Sequence, residues 1–165
     1  MSRVSWWVSK VRQTWRYLRA RVDPAERAEL RRWLTAAEWR CFEAMPVVDQ
    51  RHGLDVVAWL RRAGVEDRDV LVAGLLHDAG KGDVGLLARV VYSLGEGVGP
   101  WVVQLARRLP GMAPALDRLR DHPARSAALA AAAGCSPRTV ALIRSGDGGS
   151  DDPAGFLLRW ADEAS

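Results

Sequence analysis

The chain contains three histidines, His52, His77 and His122, and their neighbours suggest chemistry. His77 opens the string His77-Asp78-Ala79-Gly80-Lys81. From the chain's own residue frequencies, an accidental His-Asp-x-Gly-Lys is expected on the order of once in a few thousand such sequences, so the string carries more weight than the His-Asp pair alone. An apolar helix running into a glycine turn would deliver His77 and Asp78 at the edge of a core, where both can reach one ion. His52 precedes His77 by 25 residues, about one helix, a turn and the next helix, so two antiparallel neighbours can bring the imidazoles together. Asp162 follows the largely apolar run Leu157-Leu158-Arg159-Trp160-Ala161 and would supply a fourth ligand from a third helix.

His52, His77, Asp78 and Asp162 form a nitrogen and oxygen donor set. Such a set suits Mn²⁺, Fe²⁺, Co²⁺, Ni²⁺, Zn²⁺ or Mg²⁺ with positions left for water, and it excludes thiolate-rich structural zinc. An ion with an open position brings the pKa of bound water toward neutrality and polarises a phosphoryl oxygen. Two residues are the catalytic candidates. Lys81 would neutralise a phosphate, its other reading being a helix C-terminal cation favoured by the macrodipole. Asp78 would both ligate and accept a proton from water.

The elements that must position these residues are helical, because apolar residues recur at helical spacing nearly everywhere and no alternating strand pattern occurs. A basic amphipathic helix is expected over 5–21, with Trp7, Val11, Trp15 and Leu18 on one face. Asp23-Pro24-Ala25-Glu26 and Thr35-Ala36-Ala37-Glu38 each read as a helix start with a capping box. Helices are expected over 48–63, from 67 through His77-Asp78 to a stop at Gly80, and over 83–94, followed by a flexible glycine connection at 95–100. Further helices are expected near 101–109 and 114–120, from Pro123 to Gly134, from the Ser136-Pro137 cap to about 144, and over 154–164, with a polar loop at 146–153.

With 165 residues the chain has room for one core and no second full domain. No apolar run approaches a bilayer span, and the first 20 residues interleave charges with tryptophans rather than forming a secretory leader, so a cytoplasmic location is expected. Cys41 and Cys135 belong to no cysteine-rich pattern and are expected to be small, buried, apolar residues. Residues 1–22 hold six basic residues and no acid, while the remainder is slightly acidic, which excludes a uniformly basic surface for specific duplex nucleic acid. Trp6, Trp7 and Trp15 among those charges would pack on the domain or on a protein partner, the alternative being an anionic membrane surface.

His52, His77-Asp78 and Asp162, in that order and with Gly80-Lys81 after the pair, resemble the HD-domain superfamily of metal-dependent phosphohydrolases. Asp49-Gln50-Arg51-His52 is similar to the segment around the first ligand in small bacterial members. His122-Pro123-Ala124-Arg125-Ser126-Ala127 looks like the His-Pro segment opening a later helix in the subset related to cyclic-dinucleotide phosphodiesterases. The resemblance implies a helical bundle over 45–165, an N-terminal extension at 1–44 packed on it, and substrate contacts from Arg51, Lys81 and His122. It departs at Asp121 and at Ser145-Gly146-Asp147, where binuclear members carry further histidines, so one metal position is implied. Two functions follow: a phosphohydrolase acting on a phosphomonoester or phosphodiester, nucleotides included, or an HD fold without turnover that binds a ligand or signals.

Overall fold

The computed structural model describes residues 20–146 and 152–165, with the side chain of Glu96 excepted. Ten helices form among the described residues, and no strand. The expected helix over 5–21 and its tryptophans lie outside the described residues, apart from its last two positions, which are not helical.

Local capping chemistry starts the first two helices. Asp23 and Glu26 form a complete capping box for α1 (Pro24–Trp33), with Pro24 in the first turn. Thr35 and Glu38 do the same for α2 (Ala36–Glu43). Pro46 then separates α2 from α3 (Val47–Arg62), and Gly64 turns the chain at φ 83 toward α4 (Arg68–Leu76), which Asp67 caps.

Every residue of α4 from Val70 to Leu76 is buried, so this helix is the centre of the main core. Glycines set its distance from α3. A Cβ on Gly53 would lie 2.5 Å from the Leu75 carbonyl oxygen, and one on Gly74 would lie 2.9 Å from Leu60 and 3.0 Å from Val56. As the residue number falls along α3 from Val56 to Gly53, its neighbour on α4 rises from Gly74 to Leu75, so the two helices run antiparallel. The backbones approach more closely than two alanines would allow.

The remaining helices are α5 (Leu86–Val98), α6 (Pro100–Ala106), α7 (Met112–Arg120), α8 (His122–Ala132), α9 (Pro137–Ser145) and α10 (Pro153–Ala164). α8, α9 and α10 complete the main core with Ala127, Ala130, Leu142, Ile143, Leu158 and Ala161. Leu30, Leu34, Trp39 and Phe42, from α1, α2 and the link between them, belong to that same core. A smaller core joins α5, α6 and α7 through Val84, Ala88, Ala106, Met112, Leu116 and Leu119. The buried carboxylate of Asp49 on α3 ties the two together by accepting two hydrogen bonds of 2.7 Å from the Arg89 guanidinium on α5.

Three expectations are corrected. α4 ends at Leu76, and residues 77–81 form turns in which Ala79 N donates to Leu76 O and Lys81 N donates to Asp78 O. The flexible connection at 95–100 is instead helix through Gly95 and Gly97 to Val98, broken at Gly99 with φ 137, after which Pro100 begins α6. Close packing of Val103 over Gly95 outweighs the low helix propensity of glycine there. The helix expected from 83 starts at Leu86, because Val84 turns inward to the smaller core.

Cys41 and Cys135 are free and partly buried against the main core. The Cys135 thiol donates to the buried carboxylate of Glu38, and its pKa is pushed up to about 12 by burial and by that negative charge. Among the described residues, no helix is long and apolar enough to cross a membrane.

Candidate metal centre

Three elements meet where α3, the turn after α4 and α10 converge. Gly53 brings the first turns of α3 against the last turn of α4, so His52 and His77 stand with ring centroids 5.2 Å apart. Asp162, near the end of α10, places Oδ1 2.6 Å from His52 Nε2 and 3.3 Å from His77 Nε2. One ligand atom from each of these three residues lies within 4.8 Å of the others, so the group could hold a metal ion. Asp78 stands beside the trio, with Oδ1 3.4 Å from His77 Nε2 and Oδ2 4.0 Å from His52 Nε2.

Two buried atoms here have no hydrogen-bond partner, His77 Nε2 and Asp78 Oδ1. Buried polar atoms are nearly always paired, so two orphans 3.4 Å apart mark a place where something else belongs. The His77 Nδ1–H donates to the Gly74 carbonyl oxygen at 2.9 Å, which turns Nε2 toward the cluster as the ligating nitrogen when the ring is neutral. Two imidazole nitrogens and a carboxylate oxygen from this trio would suit a divalent transition metal better than Mg²⁺, and neither cysteine is a member of the group.

The electrostatics favour positive charge at His77. Burial of His77 opposes its charge, yet Asp78 and Asp162 outweigh burial and raise its pKa to about 9. Burial would raise Asp78, but His77 and Lys81 hold it well below the usual carboxylate range. Asp162 is likewise held down, against burial, by His52 and His77.

Lys81 donates to Asp78 Oδ2 at 2.6 Å, so its ammonium is joined to the cluster through that carboxylate. His122, at the start of α8, has Nε2 3.5 Å from Asp78 Oδ1 and its Nδ1–H on the Leu119 carbonyl oxygen at 2.6 Å. Burial and the Lys81 charge push its pKa down, which favours the neutral ring. Gly80 makes this approach possible. A Cβ there would lie 2.5 Å from both the His122 carbonyl oxygen and Ser126 N, and the Gly80 N–H donates to Ser126 Oγ at 2.8 Å.

The structure thus brings together His52, His77, Asp78, Lys81, His122 and Asp162. Arg51 is not brought in: one position along α3, it points to Glu26 at 2.7 Å and Asp55 at 2.9 Å. Of the departures, Asp121 pairs with Arg120, Gly146 faces a cavity beside the cluster, and Asp147 lies outside the described residues.

No family model matches this chain, nor does any curated protein or solved structure.

Sequence reasoning missed the glycines. Gly53, next to His52, and Gly74, three residues before His77, are the signal that two helices close on each other at the candidate ligands. It also missed the pairing of Asp49 with Arg89. Gly82 and Val84 carbonyl oxygens accept from the Arg89 guanidinium at 3.5 and 3.1 Å, which fixes the turn beyond Lys81.

Proposed function

We propose that this chain is a metal-dependent phosphohydrolase of the HD type, with one metal position held by His52, His77 and Asp162 and completed by Asp78. The observation that carries the reading is that His77 Nε2 and Asp78 Oδ1, both buried and without a hydrogen bond, face each other beside Asp162 at the meeting point of three helical elements. A divalent ion bound there would supply a water of lowered pKa and polarise a phosphoryl oxygen.

The chain's own groups divide the remaining work. Asp78 bridges the ligands to Lys81, so the ammonium adds positive charge beside the metal position. Asp78 Oδ1 and the unprotonated Nε2 of a neutral His122 stand 3.5 Å apart and offer two proton acceptors. In hydrolysis the water oxygen forms a bond to phosphorus while the bond to the leaving oxygen breaks. The proton lost by water passes to one of these acceptors, and the leaving alcohol takes a proton in turn.

A second reading has its own support: Ser145-Gly146 stands where a histidine for a second metal is expected, and Lys81 is already paired with Asp78. Under it the chain binds a phosphorylated ligand without turnover. Metal analysis of the purified chain, with turnover of a generic phosphomonoester and phosphodiester in Mn²⁺, separates the two. The hydrolase reading expects bound metal and turnover abolished by His77→Ala. Bound metal without turnover overturns hydrolysis, and no bound metal overturns the site.

A further inference from the structure

We infer that the cavity beside the metal cluster is an oxyanion subsite for the terminal phosphoryl group of a phosphomonoester, with Arg159 as its cation. This rests on the metal-dependent reading and narrows it.

The cavity, about 40 Å³, opens against His77, His122 and Asp162. At about 10–15 Å³ per water it takes roughly three waters, the scale of one phosphoryl head. Pro123, Leu142, Ile143 and Leu158 line it with apolar surface, which cannot satisfy an anion's oxygens. Among the described residues lining it, Arg159 provides the only guanidinium. Arg159 lies three residues before Asp162 on α10, so both side chains lie on one helix face and the arginine reaches the cavity into which a ligand carboxylate looks. His77 lines the same space.

Arg159 donates to Glu163 Oε1 at 3.2 Å, an exposed contact one helical turn along. Such a pair is weak in water and yields readily to a phosphoryl dianion, which accepts from the guanidinium fork with two oxygens at once.

Counting oxygens decides the substrate class. A bidentate arginine would take two non-bridging oxygens, and a cation held by the neighbouring ligands would add further attraction for the phosphoryl charge. A phosphomonoester carries three such oxygens and about two negative charges, against two oxygens and one charge on a phosphodiester, so it would match a guanidinium and a cation together more fully. The subsite therefore favours a terminal phosphoryl group.

The test uses the full chain and two calorimetric titrations, Mn²⁺ alone and then inorganic phosphate into the Mn²⁺-loaded protein. Arg159 is 43% exposed in its side chain, so R159Q is expected to fold, which circular dichroism verifies. R159Q is expected to weaken phosphate at least about tenfold with Mn²⁺ affinity unchanged, and R159K to recover part of the loss. Turnover is expected to favour p-nitrophenyl phosphate over its bis-ester, with R159Q raising KM for the monoester more than it lowers kcat. Phosphate binding equally to wild type and R159Q, or a preference for the diester, overturns the subsite and leaves the metal site standing. A wild-type chain that takes up no Mn²⁺ overturns the metal reading and this inference with it.

Discussion

His77 shows how one side chain carries two states. With its pKa raised to about 9 from 6.5, the folded chain holds a proton on His77 at neutral pH that a divalent ion must displace. Mn²⁺ binding is therefore expected to release a proton below about pH 9 and to tighten as pH rises toward that value. Titration in two buffers of different ionisation enthalpy measures the release, and binding heats that are identical in both buffers would refute it. The same shift fixes a stability trend without metal. A raised folded pKa gives stability that is complete below about pH 6.5 and is lost as pH rises through about 9, so urea midpoints are expected to fall over that interval and to flatten in His77→Gln. At this scale much was legible: the types and order of His52, His77, Asp78 and Asp162 pointed to one cluster, because the chain has only three histidines and one of them opens the His77–Lys81 string. The pairing of Lys81 with Asp78 was not, since nothing in the spacing distinguishes a phosphate contact from a carboxylate contact.

Helix starts were read from caps because a cap is local: Asp23 with Glu26, and Thr35 with Glu38, complete their hydrogen bonds within four residues. The continuation of α5 through Gly95 and Gly97 depends on Val103, eight residues beyond Gly95 on another helix, and such dependence is invisible to propensity. The same holds for Gly53 and Gly80, whose role is to admit a neighbouring backbone rather than to turn the chain. Gly53→Ala puts a methyl 2.5 Å from the Leu75 carbonyl oxygen, which no side-chain rotation relieves. It is expected to cost roughly 1–3 kcal/mol in urea unfolding and to weaken Mn²⁺ binding, because separating α3 from α4 separates His52 from His77. Unaltered metal affinity in a destabilised Gly53→Ala chain would detach the helix crossing from the site. Arg89→Ala leaves the Asp49 carboxylate buried without its guanidinium, a loss of about 3–5 kcal/mol by the same measurement. Arg89→Lys, which restores charge without the two-pronged geometry, is expected to recover only part.

Over the whole molecule, stability is unevenly distributed between the two cores. The main core draws on α1, α2, α3, α4, α8, α9 and α10, with Phe42, Leu60, Leu75 and Leu142 fully buried, whereas the smaller one rests on six buried residues, two of them alanines. Regions that bury little apolar surface open first, so amide exchange is expected to be faster in α5, α6 and α7 than in α3 and α4. A metal ion would sharpen that difference rather than erase it. Its ligands come from α3, the turn after α4, and α10, all set in the main core, and none comes from the smaller one. A ligand that binds only the folded state protects the structure whose opening would release it, by an amount that grows with its concentration above the dissociation constant. Adding Mn²⁺ is therefore expected to slow exchange in α3, α4 and α10 while leaving α6 and α7 near their metal-free rates, and α5 intermediate because the Asp49–Arg89 pair couples it to α3. In Arg89→Ala the intermediate behaviour of α5 should vanish and that helix should exchange with α6 and α7. An equal slowing in every helix would instead mean that the two cores open as one unit, and that this ion pair carries no coupling between them.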